Sequence, residues 1–354
     1  MNNLREVQNL KDKKVFLRVD FNGPLKDGHL TDTYKIKVHK ETIDFLISSG
    51  SKIALISHID DSFKNIYEEI GKLLEYTVAF EEDILNPRLD SQLTLFENIR
   101  KHEGEVKNDS GFAENLAKNF DLYVNDAFSV SHREHASVSA ITKFLPAYPG
   151  FLMEKEASNL KKVLIEPAQG KTIILGGAKI STKLPVIKNF LAKAEHILIG
   201  GALANAIFKH RGINIGSSFT DPEAESILIK LHSDDQKITL PKDVLVSIDK
   251  SGLSLPDVRP AGDVGKEEMI LDIGSETIKE FSEIIRNSRI VIFNGPLGLA
   301  EIEAYSAGTK IILDSIIRSG AFSVLGGGDT LALAERLGLL DRFGYVSTGG
   351  GAML

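Results

Sequence analysis

One repeated unit constrains this chain more than any other feature. A short, nearly continuous apolar run leads into a turn rich in glycine or polar residues, and a stretch of helical spacing follows. Unbroken Val/Ile/Leu runs belong to strands buried on both faces, and their alternation with helices points to parallel sheets covered on either side. In the first half, strands are expected at Lys14–Phe21, Lys52–His58, Thr94–Arg100 and Leu122–Phe128, with helices at Lys35–Ser49, Asn65–Tyr76 and Gly111–Phe120. In the second half they are expected at Thr172–Gly176, His196–Gly200, Val244–Ile248, Arg289–Asn294, Phe322–Gly326 and Gly344–Ser347. Helices there are expected at Lys183–Ala194, Leu203–His210, Pro222–His232, Glu276–Asn287, Ser306–Arg318 and Thr330–Leu339.

The pattern breaks once, at Pro146, Pro149 and Gly150, and a helical stretch Phe151–Leu164 and a polar turn Glu166–Gly170 follow. The expected organisation is α/β, with a first lobe over residues 1–150, a connecting helix over 151–167 and a second lobe over 168–354; one large sheet is the alternative. At 354 residues, two domains are the natural reading. A formal net charge of -7 offers no basic footprint for nucleic acid, and no apolar run approaches a membrane span. There is no cysteine, which excludes disulfide and thiolate chemistry, and the polar N-terminus has no signal-peptide core, so a cytoplasmic protein is expected.

Three glycine clusters follow predicted strands in the second half: Gly176–Gly177, Gly326–Gly328 and Gly349–Gly351. Such turns let backbone approach a ligand and aim free N–H groups at it, so together they predict a phosphate-rich ligand at the carboxyl edge of a parallel sheet. Lys179 and Lys183 follow the first cluster four residues apart and add positive charge where a helix begins. Asp329 and Thr330 follow the second. A carboxylate beside a phosphate site points to Mg²⁺ held with a nucleotide, and the simpler reading is a helix N-cap. Asn294 opens an Asn-Gly-Pro turn, and Glu301 downstream is placed to meet a ribose hydroxyl. Neither a GxxxxGK[ST] nor a well-placed GxGxxG is present, so this is not a Walker-type or nicotinamide site.

In the first half the expected strand ends carry polar residues: Asp20 and Asn22 on one face of an extended strand, Ser57–His58, Glu97–Arg100, and Asn125–Phe128 leading into Ser131–His135. His132 and His135 flank Arg133 in a loop suited to an oxyanion, and the inferred ligand is small, anionic and phosphorylated.

Taken in order, the stretches RVDFNGPL, ENIR, NDAFSVSHREH, GGAKISTK, FNGPLG, GGGDT and VSTGGGA closely resemble phosphoglycerate kinases over essentially the whole chain. The resemblance implies two Rossmann-like lobes with parallel sheets, joined by a hinge helix whose closure aligns the reactants. It implies reversible phosphoryl transfer between 1,3-bisphosphoglycerate with ADP and 3-phosphoglycerate with ATP, aided by Mg²⁺, in a generally monomeric family. Asp20, Asn22, Lys35, His58, Arg100 and Arg133, with His132 and His135 nearby, then bind the triose phosphate. Lys183, Asn294, Glu301, Gly327, Gly328, Asp329 and Thr330 bind the nucleotide, with Asp329 toward the metal. Lys179 bridges to the transferred group, which Gly349, Gly350 and Gly351 face, and Lys35 joins them in catalysis.

Four departures accompany the resemblance. Lys35 stands where the family has an arginine, keeping the charge and losing the planar fork. Asp60 and Asp61 occupy the loop where the family's arginine holds the distal phosphate. Gly23 replaces a valine, and the chain stops at Gly351–Leu354 where the family continues into a helix, which implies a looser hinge. These departures set out a second function, a catalytically weakened protein that binds MgADP or MgATP, and a third with another small acid as acceptor.

Overall fold

The computed structural model describes residues 3–31, 33–221, 228 and 235–353, which form two compact units, Met1–Asn159 and Leu160–Leu354. The strands of the first unit are β1 (Lys14–Arg18), β2 (Leu25–Lys26), β3 (His29–Leu30), β4 (Lys52–Ile56), β5 (Ala79–Glu81), β6 (Leu93–Phe96), β7 (Leu122–Asn125) and β8 (Ala147–Pro149). Six make one sheet in the order β5-β6-β4-β1-β7-β8, parallel at every pairing, and β2 and β3 form a small hairpin. Alternate side chains feed two separate cores. Val15, Leu17, Ile53, Leu55, Leu93 and Val124 pack on one face, whereas Phe16, Ala54, Ile56, Phe96 and Tyr123 pack on the other. That division is the period of two expected of a strand, here apolar in both phases because helices cover both sides.

Helices α1 (Tyr34–Lys37), α2 (Lys40–Ser48), α3 (Tyr67–Leu74), α4 (Glu103–Val106), α5 (Ser110–Ala117) and α6 (Phe151–Ile165) complete the unit, and α6 runs on into the second. Helix α2 gives Ile43 and Leu46 to the first core, and α5 gives Leu116 and Ala117 to the second. The single helix expected over Lys35–Ser49 is two helices, because the chain turns at Val38–His39 and the His39 side chain is drawn into the interior.

The second unit begins with β9 (Lys171–Leu175), α7 (Ile180–Leu191), β10 (His196–Ile199) and α8 (Gly201–His210). It continues with β11 (Ile238–Thr239), β12 (Asp243–Ser247), β13 (Asp257–Pro260), β14 (Met269–Ile273), α9 (Ser275–Arg286), β15 (Ile290–Asn294), α10 (Ala307–Ser319), β16 (Phe322–Gly326), α11 (Gly328–Arg336) and β17 (Tyr345–Val346). Its main sheet, β11-β10-β9-β15-β16-β17, is again parallel, with β9 and β15 buried along their whole length. The strand expected at Val244–Ile248 lies elsewhere. As β12 it is the middle of a three-stranded antiparallel sheet, β13-β12-β14. Val244, Val246, Leu271 and Ile273 bury the inner face of that sheet, which packs on α9 and α10, while β13 is exposed. The helix expected over Pro222–His232 lies outside the described residues apart from Leu228, which is helical. No helix among the described residues is long and apolar enough to cross a membrane.

Candidate functional site

In the first unit, β1, β4, β6 and β7 all end on the same edge, where the polar residues singled out from sequence gather. Every strand there ends earlier than its apolar run suggests. β1 stops at Arg18, and Asp20 and Asn22 lie in a turn rather than on one face of an extended strand. The Asn22 amide folds back to donate to Asp20 Oδ1 at 3.1 Å. Asn98 caps the turn after β6, accepting from the Arg100 amide, while its side-chain amide holds the carbonyls of Ile59 at 2.5 Å and Asp61 at 3.1 Å. That pinning leaves Asp60 and Asp61 exposed.

The Asp20 carboxylate is buried, yet four groups outweigh the cost of burial and hold its pKa below the ordinary value: Lys35, His58, the Ser129 hydroxyl that donates to Oδ2, and Arg18. Lys35 Nζ donates to the Asn22 carbonyl at 3.0 Å, so the lysine is drawn to the same turn. His58 lies with Nδ1 3.7 Å from Asp20 Oδ1. Burial, followed by Arg18, pulls the His58 pKa down to about 3 against the opposing pull of Asp20, so the ring is neutral at physiological pH. Burial and neighbouring guanidinium groups also lower His132 and His135. Arg100 is pressed by burial, Arg133 and Arg18, and its Nε and one terminal nitrogen are buried with no hydrogen-bond partner. Arg133 is exposed beside it. The edge therefore carries an excess of fixed positive charge, with donors unsatisfied by protein, which is what a polyanionic ligand requires.

Arg18 was missed, although a charged residue in an otherwise apolar strand is a signal in itself. It is 0% exposed. Its Nε donates to Ser137 Oγ at 3.0 Å, one terminal nitrogen donates to the Val19 and Ile56 carbonyls, and the other sits 3.4 Å from His58 Nδ1. Ser137 in turn donates its hydroxyl and its amide to the buried Glu105 carboxylate at 2.7 and 2.8 Å. Nothing local in the sequence announces Ser137, Glu105 or Ser129.

In the second unit, the turns after β9, β10 and β15 pack backbone on backbone around a cavity of about 280 Å³. Gly177 donates to the Pro296 carbonyl at 2.7 Å and Gly201 to the Leu297 carbonyl at 2.9 Å. A side chain on Gly201 would lie 2.9 Å from both the Gly177 nitrogen and the Pro296 oxygen, and its φ of +59° is a glycine conformation. Phe219, Met269 and Leu271 give the cavity an apolar wall, and Glu301, Asp329 and Lys250 reach it from other sides. Gly201, Ala202 and Phe219 were missed, although IGGALA after β10 repeats the pattern of LGGAK after β9.

Lys179 is the N-cap residue of α7. Lys183, one turn along, places Nζ against the Gly176 carbonyl and 3.4 Å from that of Asn294. Burial brings its pKa down to about 8, with Asp329 opposing and Lys179 adding to the shift. The residue capping α11 is Gly327, at φ +89°, so the simpler reading of Asp329 as an N-cap does not hold; Asp329 is in the first helical turn. Thr330 is fully buried and its hydroxyl has no partner. The Asn294 side chain donates to the Gly350 carbonyl at 2.8 Å, which joins the end of β15 to the last glycine turn. No group of three or more metal-binding side chains occurs among the described residues. Asp329, in the first helical turn after a phosphate-type turn, instead fits Mg²⁺, which binds through one or two carboxylates and the phosphates themselves.

These features define a class of α/β protein with one cationic, anion-ready edge and one glycine-lined cavity. Residues 4–354 match the phosphoglycerate kinase family. A phosphoglycerate kinase of Wolbachia sp. subsp. Drosophila simulans (strain wRi) is 39% identical, over 99% of this chain and 95% of that protein. One from Desulfosudis oleivorans is 37% identical, over 97% and 92%. The crystal structure of phosphoglycerate kinase from Pyrococcus horikoshii OT3 matches with a TM-score of 0.88 at 32% identity, covering 100% of this chain and 95% of that one. The phosphoglycerate kinase structure from Coxiella burnetii matches with a TM-score of 0.80 at 30% identity, covering 99% and 94%. The chain belongs to the phosphoglycerate kinase family and is a kinase.

Proposed function

We propose that this chain, acting as a cytoplasmic monomer, transfers a phosphoryl group reversibly between 1,3-bisphosphoglycerate with ADP and 3-phosphoglycerate with ATP. The observation that carries this reading of the site is Arg100, whose buried Nε and terminal nitrogen lack partners beside Asp20, Lys35 and His58. The acceptor is held by the edge of the first unit. Arg100, Arg133, Lys35, His132 and His135 surround its anionic groups, and Asp20 and Asn22 take its hydroxyl. Neutral His58 donates or accepts a hydrogen bond without adding charge.

The donor nucleotide sits in the cavity of the second unit, with Glu301 toward the ribose. Lys179, Lys183, Asn294, Gly327, Gly328, Thr330 and the glycines 349–351 meet its phosphates. An oxygen of the 3-phosphoglycerate carboxylate attacks the γ-phosphorus while the bond from that phosphorus to the bridging oxygen breaks, so the electron pair leaves with ADP. No general base is needed, because a carboxylate is already a nucleophile, and the protein's contribution is positioning and neutralisation of charge on the transferring oxygens. Mg²⁺ held by Asp329 and the phosphates supplies further neutralisation of that charge.

The test is turnover of 3-phosphoglycerate and MgATP by the purified chain in a coupled assay, with Lys179→Ala as the control. Turnover that disappears in the control supports the assignment. Absent turnover in a chain that still binds ADP overturns it.

A further inference from the structure

The loop that presents Asp20 is held by more than its neighbours in the sheet. Its three successive amides go to three different places. That of Val19 continues the sheet to the Ile56 carbonyl at 3.0 Å, that of Phe21 donates to Ser57 Oγ at 2.8 Å, and that of Asp20 donates to His39 Nε2 at 3.1 Å. His39 is 1% exposed, at the junction of α1 and α2, with its ring edge-on to Phe21. A backbone N–H can only donate, so Nε2 carries no proton. The ring proton is then on Nδ1, which donates to Asp126 Oδ2 at 2.8 Å. One neutral tautomer satisfies both ring nitrogens.

Asp126 is also fully buried, and its other oxygen accepts from the amides of Leu152 at 2.9 Å and Met153 at 3.4 Å. One turn along α2, Thr42 Oγ1 accepts from the Phe151 amide at 2.9 Å. The first three amides of α6 are thus all taken by Asp126 and the start of α2, and the carboxylate sits where the helix dipole favours it.

We propose that His39 is a positioning residue for the substrate edge: its Nε2, kept free of a proton by the bond from Nδ1 to Asp126, fixes the peptide that aims the Asp20 carboxylate. His39 reaches no substrate itself, and the inference rests on the reading of Asp20 as an acceptor-site residue.

Asparagine and glutamine divide the two contacts, because an asparagine amide lies near the position of Nδ1 and a glutamine amide near that of Nε2. His39→Asn keeps the bond to Asp126 and loses the one to the Asp20 amide; His39→Gln does the reverse. In the full chain, His39→Asn is expected to raise KM for 3-phosphoglycerate about tenfold, the effect of losing roughly one hydrogen bond. KM for MgATP is expected to stay unchanged, and the Asp20 amide to exchange hydrogen faster in the ligand-free protein. His39→Gln is expected to restore both readouts. Equal behaviour of the two variants, or wild-type exchange at Asp20 in His39→Asn, overturns the proposal. The exchange comparison needs no turnover, so it decides the role of His39 even if the assignment of the reaction fails. Nitrogen NMR of the wild-type ring provides a check free of variants: a proton on Nε2 instead of Nδ1 also overturns it.

Discussion

Replacing Arg18 with methionine exposes how much of the substrate edge rests on one buried cation. Arg18 and Glu105 are each 0% exposed and are joined through the Ser137 hydroxyl. Methionine fills much of the same volume but supplies no charge and no donors. It leaves Glu105 as a buried carboxylate whose nearest basic group is His135, 3.7 Å away, and removes the donor 3.3 Å from the Ile56 carbonyl. Stranding one member of a buried charge network costs about 3–5 kcal/mol. In a unit of this size each kcal/mol lowers the melting temperature by roughly 2–4 °C, so Arg18→Met is expected to melt about 10 °C lower. Scanning calorimetry at pH 8, where His135 is neutral because its pKa is already lowered, reads this directly. The double variant Arg18→Met with Glu105→Gln is expected to recover most of the loss, because the penalty belongs to the unpaired charge rather than to packing. A loss below about 1 kcal/mol in the single variant, or no recovery in the double, refutes the account.

Three further outcomes are expected. Lys183 has its pKa brought down to about 8 by burial, and an arriving polyphosphate raises it again, so MgATP binding near pH 8 takes up protons while binding at pH 6 does not. Binding heats at pH 8 that are the same in buffers of different ionisation enthalpy refute this. Lys35→Arg restores a planar fork and is expected to turn over at least as fast as wild type, whereas Lys35→Ala loses about 10²–10³ in kcat and melts lower, because buried Asp20 loses one of the charges that offset its burial; undiminished turnover in Lys35→Ala removes the residue from the mechanism. Gly201→Ala drives a methyl to 2.9 Å from two backbone atoms at φ +59°, and calorimetry is expected to show nucleotide affinity reduced more than about tenfold with 3-phosphoglycerate binding retained. Loss of both affinities points to global disruption instead.

The parallel sheets were legible because their signal is local: unbroken apolar runs such as Ile290–Asn294 followed by glycine turns have few other uses. The gathering of Asp20, His58, Arg100 and Arg133 followed from placing polar residues at strand ends. The antiparallel sheet was not legible, because β13 is exposed and its partners are defined only across the fold. The brace of His39 and the chain from Arg18 through Ser137 to Glu105 were hidden for the same reason. Each joins residues far apart in sequence, and the only local hint was Arg18 standing in an apolar strand. The Gly200–Gly201 turn was readable and overlooked, since it repeats the Gly176–Gly177 pattern.

The strand order also bears on how the chain reaches its native state. β1 is made early, yet it lies between β4 and β7, and its second neighbour comes only at Leu122–Asn125. β9 waits in the same way for β15 at Ile290–Asn294. A growing chain therefore carries a largely apolar strand with one open edge through much of the synthesis of each unit. Contacts so distant in sequence close slowly, and open apolar edges invite association with other chains. The topology that brings polar loops together along one edge makes the newborn chain dependent on protection from its neighbours until each central strand is flanked on both sides.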